Sequence, residues 1–372
     1  LADILDLIPD ISSEEAEKID VGFYDKDAFR SDLMRVTNDQ SDPLLADILV
    51  SNSFQTMKWL GNKGVRWVLA YGRQAFKQAG RMRFWGGLIV EAVGGGKGLS
   101  DRLFELSDHQ GIKILYETGP VQLLTDSKTR ICGIILENRE GQHKVLCNSI
   151  VLASGGFEAS TDMRTCYLGT EWEAAKVRGT QFNTGEGIQI ARGIGAQTHG
   201  DWAGCHSVAW DLNAPPFGDR NITDLYQKHS YQFGLIVNIY GKRFVDEGAD
   251  FRNYTYAKYG REILKQPHAA GFQLFDQQTK HLLRDEYFIP QTSKVMADSI
   301  GGLADSLGID RDGLLGTVHE FNAAVQPGNF DPTTLDGKCA TKIVPLKSNW
   351  ALPLDSPPYL GYPVTCGITF TF

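Results

Sequence analysis

Residues 150–157 read Ile-Val-Leu-Ala-Ser-Gly-Gly-Phe, an apolar run of the length of a buried strand that stops at a glycine pair. That stop constrains the fold, because paired glycines let backbone approach a neighbour more closely than any side chain would allow. Two readings stay open: a tight turn closing the strand, or a dinucleotide pressed against the carboxyl end of a sheet. Strand-like pieces at 112–117, 121–126 and 131–137 precede the run, and a fourth at 143–147 leads into it through Asn148 and Ser149. This order predicts a β-meander feeding a glycine-ended strand.

The bulk numbers narrow the classes. A chain of 372 residues, 42% hydrophobic and 22% charged, is long enough for two domains with separate cores. Its net charge of −8 and the lack of a long basic run argue against a nucleic-acid partner. An anionic substrate would therefore need a local cationic pocket. Six cysteines are scattered without C-x-x-C spacing, so no metal or iron–sulfur site is expected within the chain, and reduced thiols in a cytoplasmic protein are the simplest reading. No apolar stretch reaches the roughly 20 residues that cross a bilayer, and no signal-peptide pattern opens the chain. The start at Leu1 and the apolar close at 368–372 suggest a chain cut from something longer.

Along the chain, Asp42 and Pro43 mark a helix start, followed by Leu44, Leu45, Ile48, Leu49, Met57 and Leu60 up to Gly61, which predicts a core-packing helix. A second helix is expected over 99–109, and a third after Thr184-Gly185-Glu186-Gly187, ending at Gly193 or Gly195. From about residue 201 the texture changes to aromatics, prolines and histidines. Beyond it strands are expected at 235–239 and 271–275, and helices at 253–265, 296–307 and 310–325. Turns at Pro353, Pro357, Pro358 and Pro363 then carry the chain back. We take 201 to about 365 as a second domain.

Several stretches could carry chemistry. The cluster Gly94 to Gly98 is not a Walker A loop, since Lys97 is followed by Gly98; it is a flexible turn or a ligand-approaching turn. A G-x-G-x-x-G fingerprint is absent, so only the supporting half of a dinucleotide site is expected. The run Lys242-Arg243-Phe244-Val245-Asp246-Glu247 is either a solvated face or a set in which Asp246 or Glu247, with a nearby arginine, holds another arginine beside an anion. Arg252 is the arginine placed at the site. His206 and His229 are either structural histidines or, converging with Arg252, a cationic pocket. Hydrolase signatures are lacking.

Several motifs carry a resemblance over nearly the whole chain: Tyr71-Gly-Arg-Gln-Ala-Phe76, Phe84-Trp-Gly-Gly87, Val151-Leu-Ala-Ser-Gly-Gly-Phe157, Val177-Arg-Gly-Thr180, Asn183-Thr-Gly-Glu-Gly187, Phe244-Val-Asp-Glu-Gly-Ala-Asp-Phe-Arg-Asn-Tyr-Thr255, Lys347-Ser-Asn-Trp350 and Val364-Thr-Cys-Gly-Ile-Thr-Phe370. With them the chain resembles the FAD-dependent fumarate reductase and succinate dehydrogenase flavoprotein superfamily, most closely its tricarballylate dehydrogenase branch, which includes the flavoprotein part of the precorrin oxidase CobZ. The resemblance implies an α+β fold: a partial FAD-binding domain of the two-dinucleotide-binding type with a β-meander, and an α+β capping domain. By the same likeness, the N-terminal Rossmann βαβ segment is expected to be absent from the chain. By this likeness 1–200 is the middle of the FAD-binding domain, 201–368 the cap, and 369–372 a truncated return to the first domain.

The same likeness implies site residues. Val121, Ser154, Gly155, Gly156, Thr184, Gly185 and Glu186 would contact FAD, with Gly187 closing that turn. His206 would bind a substrate carboxylate, and Arg252, at a one-residue offset, would exchange a proton with substrate carbon; His229 is placed at the substrate by the convergence reading above. A further family histidine falls near Thr369 or Phe370, a departure that points away from plain fumarate or succinate. The implied reaction is oxidation of tricarballylate to cis-aconitate, with electrons passed to an iron–sulfur and haem membrane partner. The alternatives are corrin-ring oxidation, fumarate reductase or succinate dehydrogenase-like chemistry, and a non-catalytic binding module. Without the fingerprint, this chain alone is expected to bind FAD weakly or not at all and to be inactive.

Overall fold

Chain contacts divide the computed structural model into two units, Leu1–Leu115 and Tyr116–Phe372. It describes all residues except 79, 85, 86 and 88, and residue 73 by its backbone alone. The Phe84-Trp-Gly-Gly87 stretch lies partly outside the described residues.

In the first unit, helix α1 (Pro43–Asn62) begins as its sequence predicts, with the Asp42 carboxylate accepting from the amides of Leu44 and Leu45 at 2.8 and 3.1 Å. Its expected role as a core helix is not met. Ala46 and Val50 are buried, whereas Leu44, Leu45, Ile48, Leu49 and Trp59 are exposed. The core of this unit instead gathers Ile8, Ile19, Val21, Leu69 and Phe84, around short strands at Ile19–Asp20, Ala75–Gln78 and Arg81–Phe84. Helix α2 (Gly95–His109) is entered through Gly94 at φ +78°. A Cβ on Gly98 would collide with the Val93 carbonyl, so this glycine cluster serves a tight helix entry.

The second unit opens with an antiparallel meander, β1 (Gly119–Thr125), β2 (Ile131–Asn138) and β3 (Gly141–Leu146). Residues 112–117 form no strand. Nor does the glycine-ended run: 150–155 are irregular, without ladder partners among the described residues, and Val151 is 90% exposed. An all-apolar run becomes a strand only where neighbours pair its backbone and cover both faces, and neither condition is met there.

A six-stranded sheet anchors the rest. Strands β4 (Lys176–Val177), β5 (Cys205–Asp211), β6 (Leu235–Val237), β7 (Gly271–Phe275) and β8 (Val295–Ala297) join the 13-residue β9 (Tyr359–Thr371) in a sheet whose main path runs β5-β9-β7-β6, with β4 and β8 also on β9. Residues 359–368 of β9 are all buried, as in a strand covered on both faces. Helix α3 (Glu186–Gly193) precedes β5; α4 (Arg252–Leu264) packs on β5 and β9, and α5 (Ile300–Leu307) with α6 (Arg311–Ala324) covers the other core, around Leu235, Leu274, Leu303, Leu314 and Phe321.

Two local expectations shift. The segment 295–297 is strand, and α5 starts later, where Ser299 caps Gly302 N at 3.0 Å. Pro363 lies inside β9 rather than in a turn. Its carbonyl accepts from Leu212 N at 3.1 Å, so its missing N–H faces the end of β5 and costs the ladder to β7 nothing. Among the described residues no helix is long and apolar enough to cross a membrane.

Candidate functional site

Two neighbourhoods of the second unit hold most of the residues expected at a site. The first is a cleft of about 460 Å³ lined by Leu152, Ser154, Gly155, Gly156, Gly187, Ile188, Trp202 and Thr371, among others. Its glycines bring backbone close to the chain's own side chains. A Cβ on Gly155 would lie 2.7 Å from Asn183 Nδ2, one on Gly156 would meet the Thr371 hydroxyl, and one on Gly187 the Ser154 hydroxyl. Phe157 N then donates to Thr371 Oγ1 at 3.2 Å, and Asn183 Nδ2 donates to Glu158 Oε1 at 2.5 Å. The close approach expected at this glycine pair is real, and on the Cβ side it is protein packing.

Of the residues expected at a cofactor, Ser154, Gly155, Gly156 and Gly187 line the cleft. Thr184, Gly185 and Glu186 form the turn into α3, with Gly185 at φ +81°, and do not line it. Val121 sits apart, at a register shift in β1. The lining fits part of FAD: an apolar face from Leu152, Ile188 and Trp202, and hydroxyls from Ser154 and Thr371.

The second neighbourhood is built on the β5–β9 pair. His206 lies opposite Phe370 and Ser207 opposite Ile368, so Thr369 is the extra residue of a bulge. Its hydroxyl lies 3.1 Å from His206 Nδ1 and accepts from Arg178 Nη1 at 3.2 Å. Arg178 is held in turn by Asp224 at 2.5 Å. His206 stacks on Phe370, with ring centroids 5.2 Å apart. Burial first, and then the Arg178 charge, push the His206 imidazole down to about 4, against a smaller opposing effect of Asp224.

The ring of Tyr256 stands between the two histidines, 5.3 Å from His206 and 5.1 Å from His229. Tyr256 lies four residues beyond Arg252 on α4, one turn along the same face. Burial, and then the nearby Arg284, push Arg252 down to about 10, while Tyr231, Glu286 and Tyr256 act the other way. Arg284 pairs with Glu286 at 3.3 Å. Both predicted histidines thus meet one aromatic on the helix that Arg252 begins.

Sequence reasoning passed over Tyr256, Arg178 and Thr369 as site residues, although helical spacing from Arg252 gave a signal for the first. In the charged turn Lys242 is exposed, whereas Arg243 and Glu247 are buried. Glu247 takes Arg243 in two bonds of 3.0 and 2.5 Å, both side chains buried, and also accepts from Ile236 N at 2.8 Å. Asp246 accepts from the amides of Gly248 and Ser348.

The second unit thus joins a meander and a glycine cleft to a sheet-borne cluster of histidine and arginine in an α+β architecture. The chain belongs to the FAD binding domain family, which matches it over residues 16–348. It is 26% identical over 307 residues to the NADH:fumarate oxidoreductase of Klebsiella pneumoniae (strain 342), covering 81% of this chain and 31% of that protein. It is 25% identical to the probable fumarate reductase Ifc3 of Shewanella frigidimarina (strain NCIMB 400), covering 81% and 48%. A 3-oxosteroid 1-dehydrogenase of Mycobacterium tuberculosis (strain ATCC 25618 / H37Rv) is 29% identical over 48% of this chain and 33% of its own length. The chain therefore spans about a third to a half of these curated relatives. Its fold matches the open conformation of a flavocytochrome c3 fumarate reductase with a TM-score of 0.69 at 22% identity, over 97% of this chain and 59% of the other.

Proposed function

We propose that this chain carries the substrate-binding portion of an FAD-dependent oxidoreductase acting on a small polycarboxylate. The observation that carries the reading is the convergence of His206 and His229 on Tyr256, one turn from Arg252. Residues 1–200 are read as FAD-binding and 201–368 as the cap. Bound FAD would take or give a hydride at one substrate carbon. Arg252 would hold the neighbouring carbon's proton, helped by the burial that weakens its grip on a proton. His206 and His229 would bind carboxylate oxygens, and the Tyr256 and Phe370 rings would keep water from that contact.

Tricarballylate, going to cis-aconitate, is the substrate we favour, supported by Thr369 standing near where the family's further histidine falls. Fumarate reductase-like chemistry is the second reading, favoured by the names of two relatives; corrin-ring oxidation is a third. Electrons would pass to an iron–sulfur and haem partner, and the six free cysteines suit a cytoplasmic setting. Anaerobic spectra of the FAD-loaded protein test this directly. Bleaching with tricarballylate supports the first reading, and reoxidation of reduced flavin by fumarate the second. An unchanged flavin spectrum with tricarballylate, succinate, fumarate and cis-aconitate would sink both.

A further inference from the structure

The bulge at Thr369 puts a hydroxyl where regular pairing would leave it on the other face of β9. That hydroxyl has two recorded contacts, Arg178 Nη1 at 3.2 Å and His206 Nδ1 at 3.1 Å. Arg178 can only donate, so it occupies an oxygen lone pair of Thr369. The one hydroxyl hydrogen remains, and among the described residues His206 Nδ1 is the only recorded acceptor for it. Thr369 is half-buried, and a ring nitrogen at 3.1 Å is the protein acceptor within its reach, which favours donation to Nδ1.

We propose that Thr369 is the positioning residue for His206: its hydroxyl, oriented by Arg178, donates to Nδ1 and fixes the neutral imidazole in the tautomer that carries its proton on Nε2. Arg178 is itself aimed by Asp224 at 2.5 Å and reaches Gln227 Oε1 at 3.5 Å, so the relay runs Asp224, Arg178, Thr369, His206. The remaining faces of the ring meet Phe370 and Tyr256, so the charged groups acting on it are Arg178 and Asp224. A second proton on Nδ1 would set N–H against a hydroxyl that already accepts from a guanidinium, in keeping with the low basicity of this imidazole. Nε2 makes no recorded hydrogen bond to the described residues and is left as a neutral donor. On the functional reading above, that donor meets a carboxylate oxygen of the substrate.

Histidine-selective ¹⁵N labelling with long-range ¹H–¹⁵N correlation reads the tautomer without cofactor or substrate. The His206 signals are assigned by their loss in His206→Gln. The expected pattern between pH 6 and 8 is unprotonated Nδ1 and protonated Nε2. Thr369→Val should scramble it, and Thr369→Ser should restore it. Protonated Nδ1 in the wild-type protein, or an unchanged pattern in a folded Thr369→Val variant, would overturn the proposal; should that variant fail to fold, the wild-type pattern still decides. With the FAD-loaded protein, Thr369→Val should raise KM for tricarballylate or fumarate about 3- to 10-fold, the worth of one hydrogen bond, with a smaller effect on kcat and rescue by serine. A fixed tautomer with unchanged KM would leave the relay standing and remove His206 from substrate binding.

Discussion

The glycine cleft and the His206 site sit in the same unit and are built in opposite ways. The cleft leans on 150–156, a segment without ladder partners among the described residues that exposes Val151. The His206 site stands on β5 and β9, where Val208, Val364, Cys366 and Ile368 are fully buried and a single bulge aims Thr369. The contrast teaches where precision comes from. A side chain on a paired and covered strand inherits the rigidity of the sheet, whereas an apolar segment without partners positions little by itself.

That contrast can be broken from either side. The largest stability effect is expected in the sheet-side scaffold. Glu247→Ala leaves the Arg243 guanidinium buried without its carboxylate and should cost about 3–5 kcal/mol in urea unfolding. The largest effect on activity is expected at the start of α4: Arg252→Lys in the FAD-loaded protein should cut turnover by roughly 100-fold or more while sparing flavin content. Unchanged turnover would remove Arg252 from the mechanism.

Acid should reveal the His206 site at intermediate cost. Its imidazole is less basic folded, at about 4, than its usual 6.5, so it opposes protonation in the native state. The contribution is full above about pH 6.5 and is lost as pH falls from there toward 4. Melting temperature followed across that window should fall more steeply in the wild type than in His206→Gln. Parallel curves would mean the ring titrates normally. The smallest effect belongs to the cleft: Val151→Asp should change stability by no more than about 0.5 kcal/mol, and a larger loss would show that this segment is packed after all.

Much of the helical framework was legible. Asp42 with Pro43, and Asp310, name their helix starts because capping is local chemistry between a side chain and the next turn's amides. The meander strands 131–137 and 143–147 lie where their patterns put them, to within a residue or two. The failures are just as physical. The apolar positions of α1 mark one helix face, yet nothing local says whether that face is covered, and in the structure Leu44 and Ile48 are exposed. Glu247 and Arg243 form a buried structural pair where alternation suggested a solvated turn, because the 345–346 carbonyls that complete the pair come from distant sequence.

At the site, sequence named His206, His229 and Arg252 one at a time, by residue type and by resemblance to a flavoprotein family. It could also have named Tyr256, since a four-residue step along a helix is local geometry. Which groups touch His206 is another matter. Thr369 is 163 residues away and Arg178 sits on a loop after β4. They meet only because β9 pairs with β5 out of step by one residue, and cross-strand register is decided by how two strands pack together. Local propensity determined most of the helices and the meander, and residue type with family resemblance the candidate residues; tertiary pairing decided the contacts that set the state of His206.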